Sequence, residues 1–249
     1  MKRISALAII LALALSLSAC SGVGTDGTSG EISTDPPIDE LTETITLTVA
    51  KVGENSILLC GEDEGTLYTM PASADGASDL KGGMSVEITY TNGIAETYPA
   101  QITTPVSIKS LSDANDRVGL FLSALDELMG TDSALNSDTT YLAFDLTGVN
   151  NLSDGEKEAF IAVASAKYGL EPLVGTFEEL RESGYIDKDN LYFPDGILIE
   201  ASTKSEHSKS FTFNISKWRS GTGAYYFVDV NAKNKNGEWS YEVTSEAIA

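Results

Sequence analysis

The chain has 249 residues, with 16 Lys and Arg against 37 Asp and Glu and a formal net charge of −21. Binding nucleic acid means neutralising phosphates with Lys and Arg, so a surface this acidic excludes nucleic acid as a partner and is repelled by anionic lipid. A single histidine excludes zinc sites built on two or more His ligands.

Lys2 and Arg3 precede an uncharged, apolar run over residues 4–19. A basic start followed by such a run is the pattern of a secretory signal. The run is shorter than the about 20 residues of a comfortable membrane span. It ends in Leu17-Ser18-Ala19-Cys20, which resembles the bacterial lipobox. The resemblance implies removal of residues 1–19 as a signal peptide and a diacylglyceryl group on the Cys20 thiol. The mature protein is then a lipoprotein, held by palmitate-type chains on the extracytoplasmic face of the cell membrane. Each buried CH₂ of such chains contributes about 0.8 kcal/mol, so two chains anchor stably where one does not. Loss of Lys2 and Arg3 takes the net charge from −21 to −23.

Residues 20–43 are rich in Gly, Ser, Thr, Asp, Glu and Pro and have almost no apolar content. They cannot bury enough surface to fold and read as a lipidated, disordered tether. Gly22-Val23-Gly24-Thr25-Asp26-Gly27 matches G-x-G-x-x-G, but no strand precedes it and no helix follows, so it is not a nucleotide site.

Residues 44–111 read as a small β domain. Thr44-Ile45-Thr46-Leu47-Thr48-Val49 alternates polar and apolar, the period of a half-buried strand. Residues 57–60, 66–70 and 84–90 predict further strands, and 106–108 an edge strand. Asn92-Gly93 predicts a hairpin joining 86–90 to 94–98. Cys60 closes an apolar run and reads as a small buried side chain; with Cys20 acylated, no disulfide can form inside the mature chain. The Gly82-Gly83-Met84 stretch and Thr97-Tyr98-Pro99-Ala100-Gln101-Ile102 resemble a small OB-like domain of unknown function from Gram-positive lipoproteins. The resemblance implies a small barrel and no particular activity.

Residues 112–249 read as an α+β domain with an antiparallel sheet. Val118, Phe121, Leu122, Leu125, Leu128 and Met129 recur at helical spacing. Residues 140–146 predict a strand. Ser153 with Glu156, and Thr176 with Glu179, form two capping boxes that open helices. Four strands follow, at 196–201, 210–216, 224–231 and 238–244, the last pair turning at Asn236-Gly237. A helix lying on a curved sheet, as in cystatin-like or NTF2-like layouts, is the analogous arrangement. The stretch from Lys217 to Phe227 (KWRSGTGAYYF) resembles part of a C-terminal module of uncharacterised Gram-positive lipoproteins. Similar modules stand beside sensor-type membrane metallopeptidases. No catalytic residue comes with the resemblance, and the His-Glu-x-x-His motif of such peptidases is absent.

The chemistry legible in this sequence is sparse. There is no Gly-x-Ser-x-Gly elbow and no P-loop. His207 sits in a polar turn. Asp187-Lys188-Asp189-Asn190 begins like a calcium loop, but Tyr192 stands where an EF-hand needs Gly. No cofactor and no metal site is called for. Trp218 and Arg219, placed in a turn, and Tyr225 on the following strand form an aromatic and basic cluster that fits two roles, a sheet core or a binding surface. The expected function is a non-catalytic binding, sensory or accessory module of the cell envelope, meeting an envelope protein or a wall-derived ligand. The alternative is a hydrolase of envelope glycans using two carboxylates.

Overall fold

A computed structural model describes residues 41–249. The expected signal peptide, Cys20, the G-x-G-x-x-G stretch and the expected tether up to residue 40 lie outside the described residues. The described part is mostly β, built on two mixed sheets.

The first sheet contains β1 (Glu43–Val52), β2 (Ser56–Cys60), β3 (Leu67–Pro71), β4 (Ser85–Tyr90), β5 (Ala100–Gln101) and β6 (Pro105–Ser110), in the order β5-β3-β2-β1-β4-β6. All pairs are antiparallel except β3 with β5. One face buries Leu47, Val49, Ile57, Leu59, Val86 and Ile88, as the alternation requires. The expected barrel is not closed: β5 and β6 end the strand order and do not pair with each other. The expected hairpin is also corrected. Asn92 and Gly93 do take the positive φ of a tight turn (62° and 70°). The free edge of β4, however, pairs with β6, Ile88 opposite Ile108, and Ala95 makes only an isolated bridge to Gln101. Pro99 has no N–H to give a ladder, which disfavours a continuous strand there.

The second sheet contains β7 (Tyr141–Gly148), β8 (Glu171–Val174), β9 (Gly196–His207), β10 (Ser210–Ser220), β11 (Gly223–Lys235), β12 (Glu238–Glu242) and β13 (Ser245–Ile248). Its order is β12-β11-β10-β9-β7-β8, with β13 also on β11. The expectation of an antiparallel sheet is corrected to a mixed one. β8, β7 and β9 run parallel, and β9 to β12 form the antiparallel meander. β8 carries Pro172 at the sheet edge, where a missing N–H is tolerated.

Three helices cover this sheet: α1 (Arg117–Gly130), α2 (Asp154–Tyr168) and α3 (Phe177–Glu182). Both capping boxes form with both reciprocal bonds, and Gly169 ends α2 at φ 66°. The chain steps from β7 through α2 to β8, then through α3 back past β7 to β9. Crossovers of one hand in opposite directions put their helices on opposite faces. Accordingly, Phe160 of α2 joins Phe121 of α1 in the main core, whereas Leu180 of α3 packs on Ala143, Leu198 and Trp218 on the other side.

The first sheet leans on α2 through its outer face. Ala50, Cys60 and Leu67 meet Ala159, with Leu58 and Ala162 beside them. Small side chains on α2 permit this approach. Gly155 is required in the first turn, because a Cβ there would stand 2.2 Å from the Gly61 carbonyl oxygen. Gly155 N–H donates to the Glu62 carbonyl (3.0 Å), and Glu158 accepts from Gly65 N–H (2.7 Å) and the Tyr98 hydroxyl (2.5 Å). Cys60 is fully buried, and burial, reinforced by Glu156 and Glu158, pushes its thiol up to about 12.

Candidate functional site

The three residues expected to form a binding cluster are not brought onto one surface. Lys217 stands opposite Tyr225, and Trp218 opposite Ala224, so Trp218 and Tyr225 point to opposite faces of the sheet. Trp218 lies in strand β10 rather than a turn, edge-on to Phe177 of α3 (4.9 Å between centroids). Tyr225 is buried in the main core, and its hydroxyl bonds to Glu246. Arg219 donates to the carbonyls of Leu135 (2.9 Å), Ser137 and Pro194 (3.0 Å) and lies over the Tyr192 ring (5.8 Å). Its neighbour Lys217, fully buried, donates to Thr131 O, Asp132 O (3.1 Å) and Asn136 Oδ1 (3.1 Å). Burial lowers its amine, opposed by Asp132. The two cations gather backbone oxygens left over where α1 ends and the 3-10 turn Ser133–Asn136 follows. The distinctive motif is therefore a clamp on that segment.

Strict alternation is broken along β11. Val230 joins Tyr225 and Phe227 in the main core. A bulge, in which Val228 and Asp229 oppose Asn214, shifts the alternation; Asp229 has φ 52°, and its N–H donates to Asn214 Oδ1 (2.9 Å). His207 is exposed on β9, which runs on to the Ser208–Lys209 turn. Asp187 holds a local polar turn, accepting from the N–H groups of Asp189 and Asn190.

A different constellation emerges on the α3 face. β7 and β9 send Ala143 and Leu198 under α3, and two residues further on each strand comes an acid, Asp145 and Glu200. These two are direct partners across the parallel pair. Glu200 stands opposite Ser216 on β10, and Ser216 opposite Tyr226 on β11. Asp145, Glu200, Ser216 and Tyr226 thus form one transverse row over four strands. The row lies just beyond the apolar row that α3 covers, in a recess of about 320 Å³ with no Lys, Arg or His in its wall.

The row is under-satisfied. Asp145 Oδ1 accepts from the N–H (3.0 Å) and hydroxyl (2.6 Å) of Thr147, which leaves its other oxygen open. Among the described residues, Glu200, Ser216 and Tyr226 have no side-chain hydrogen-bond partner, and no ion pair involves either acid. Ser216 is only 7% exposed. Burial first, and then Asp145, raises the Glu200 carboxyl. Burial and Glu200 likewise raise the Tyr226 phenol.

Asp145 and Thr147 also border a second cleft of about 530 Å³, between β7, β8, the start of α2 and Tyr98 in the loop before β5. Ile161 and Val174 supply apolar wall, Glu64, Asp154 and Glu158 an acidic rim, and Lys157 one cation. Both depressions sit at the carboxyl ends of parallel strands, the usual place for ligands in such sheets. Among the described residues, no group of three or more His, Cys, Asp and Glu could hold a metal ion. No described helix is long and apolar enough to cross a membrane.

The row escaped sequence reasoning, although a signal for it exists. A strand buried on both faces reads as a near-continuous apolar run. Asp145 and Glu200 each interrupt such a run, within Leu142-Ala143-Phe144-Asp145-Leu146 and Ile197-Leu198-Ile199-Glu200-Ala201. No family model matches the chain, and no curated protein matches it significantly.

Proposed function

We propose that this chain is a lipid-anchored, extracytoplasmic binding module of the cell envelope, tethered through Cys20, whose ligand site is the recess over Asp145, Glu200, Ser216 and Tyr226. The anchoring rests on the lipobox-like Leu17-Ser18-Ala19-Cys20 and the apolar run before it. One observation carries the binding role: a row of four polar side chains lies uncovered on the sheet, with Glu200, Ser216 and Tyr226 unpaired among the described residues. Open polar side chains in a recess of this volume can pair with a ligand in place of water.

A thermal-shift panel of wall fragments and cations tests the reading. A ligand at about 100 times its Kd stabilises the folded state by about 2.7 kcal/mol. The full chain is expected to be stabilised by at least one panel member. That response should be lost when Ser216→Tyr fills the recess. No response from any member would contradict the reading.

A carboxylate-based glycan hydrolase is a second reading, favoured by the Asp145 and Glu200 pair. Neighbouring strands lie about 4.8 Å apart, close to the about 5–5.5 Å between the carboxyl groups of retaining glycosidases. Burial first, and then Asp145, raise the Glu200 carboxyl, the direction that suits a general acid. Release of reducing ends from wall glycan by the native chain, abolished by Asp145→Asn, would establish this reading over simple binding.

A further inference from the structure

We infer that the recess takes a primary ammonium group carried on an organic ligand, an assignment that rests on the binding reading above. An ammonium has three N–H donors and no acceptor. The row offers three open acceptors in register: the second oxygen of Asp145, the Glu200 carboxylate and the Ser216 hydroxyl. Two carboxylates side by side repel each other unless a cation lies between them, and the wall of the recess supplies none. Lys204, the basic residue of β9, is already paired with Asp229 (2.5 Å).

Ser216 is the independent sign that the recess is built for an occupant. It is more than nine-tenths buried, lines the recess and has no partner for its hydroxyl among the described residues. A chance acidic patch on a surface has no need of an unpaired hydroxyl, carried on an otherwise buried residue and opening on the recess, between its carboxylate and a tyrosine. Two alternatives fit less well. A calcium ion takes six to eight oxygens, whereas no three metal-binding side chains converge here among the described residues. A water occupies about 30 Å³ in the liquid, so a recess of about 320 Å³ has room for an organic body behind the charge. Tyr226, at the end of the row, gives that body an aromatic wall. A neutral polyhydroxy ligand would fill the space but leave the two carboxylates uncompensated.

Such an ammonium could belong to a free amine or to a diamino side chain within a peptide. Calorimetric titration of the full chain, purified in detergent at low salt, separates these sources and tests the inference. The probes are 1,5-diaminopentane, a lysine-containing tripeptide, 1,5-pentanediol and calcium chloride. The expected result is saturable binding of one or both amines, weakened about tenfold or more by Glu200→Gln and by Ser216→Val. Tighter binding of the tripeptide places the group on a peptide; tighter binding of the diamine places it on a free amine. The inference is overturned if neither amine binds, if pentanediol binds as well as the diamine, if only calcium binds, or if both variants keep full amine affinity. A wall fragment that stabilises the chain through the recess while both amines fail overturns this assignment and leaves the binding reading standing. Failure of every ligand in both experiments removes the two together.

Discussion

Asp145 and Glu200 stand directly opposite each other on the adjacent parallel strands β7 and β9, on the stretch of sheet that α3 leaves open. Glu200 bears the cost, its carboxyl raised by burial and by Asp145, with Tyr226 the other titratable group beside it. A folded-state value above the unfolded one means that the charge destabilises the fold once ionised. The penalty is absent below the unfolded value of about 4.3 and complete above the folded value. Glu200→Gln should therefore raise the melting temperature at neutral pH. For a body of this size each kcal/mol relieved is about 2–4 °C. The gain should shrink as pH falls through the carboxylate range. Melting curves of both proteins across that range check the sign; a variant less stable at neutral pH would contradict it.

Lys217 and Arg219 act in the fold through the segment they clamp. Lys217→Met keeps most of the volume but strands three oxygen acceptors in a buried place. The expected loss is about 2–4 kcal/mol, since each unsatisfied buried group costs about 1–3. Arg219→Lys should also destabilise, because a point charge cannot reproduce a planar fork reaching Leu135, Ser137 and Pro194. Denaturant unfolding measures both. Ligand affinity at temperatures where the variants stay folded should be unchanged, which separates a clamp from a binding surface.

Gly155 tests the seating of the first sheet on α2. Alanine is ordinarily better than glycine in a helix by about 1 kcal/mol. Here its methyl would meet the Gly61 and Asp63 carbonyl oxygens, both backbone atoms that cannot swing aside. Gly155→Ala should cost about 1–3 kcal/mol, in the range of overpacked sites. A stabilised variant would show that the contact yields.

Cys60 should resist alkylating reagents in the folded protein, since a thiol pushed up to about 12 is almost wholly protonated at neutral pH and is buried as well. With Cys20 acylated as proposed, thiol titration should find no reactive group natively and one in denaturant.

Local signals carried much of the fold. Ser153 with Glu156 and Thr176 with Glu179 opened helices where their spacing placed them, because capping is a contact between near neighbours. The alternating β1 and the meander from β9 to β12 were legible for the same reason. Pairing at a distance was not. The Asn92-Gly93 turn formed, yet β6 took the edge of β4, a choice made by tertiary packing. β8 is short, carries Pro172 and shows no alternation, so the parallel part of the second sheet went unread. The same gap hid the site: until β7 and β9 are known to be parallel neighbours, nothing links Asp145 to Glu200. Trp218 and Tyr225 looked like one cluster in the chain, but their registers put them on opposite faces.

The chemical state of Cys20 bears on all of this, since a tethered, outward-facing body is what gives an envelope ligand its meaning. The decisive measurement is the mass of the amino-terminal peptide from protein recovered in the membrane fraction. The expected peptide begins at Cys20 and carries a diacylglyceryl group on its sulfur. A peptide beginning at Met1, or a mature chain with a free Cys20 thiol in the cytosolic fraction, would contradict the proposed anchor.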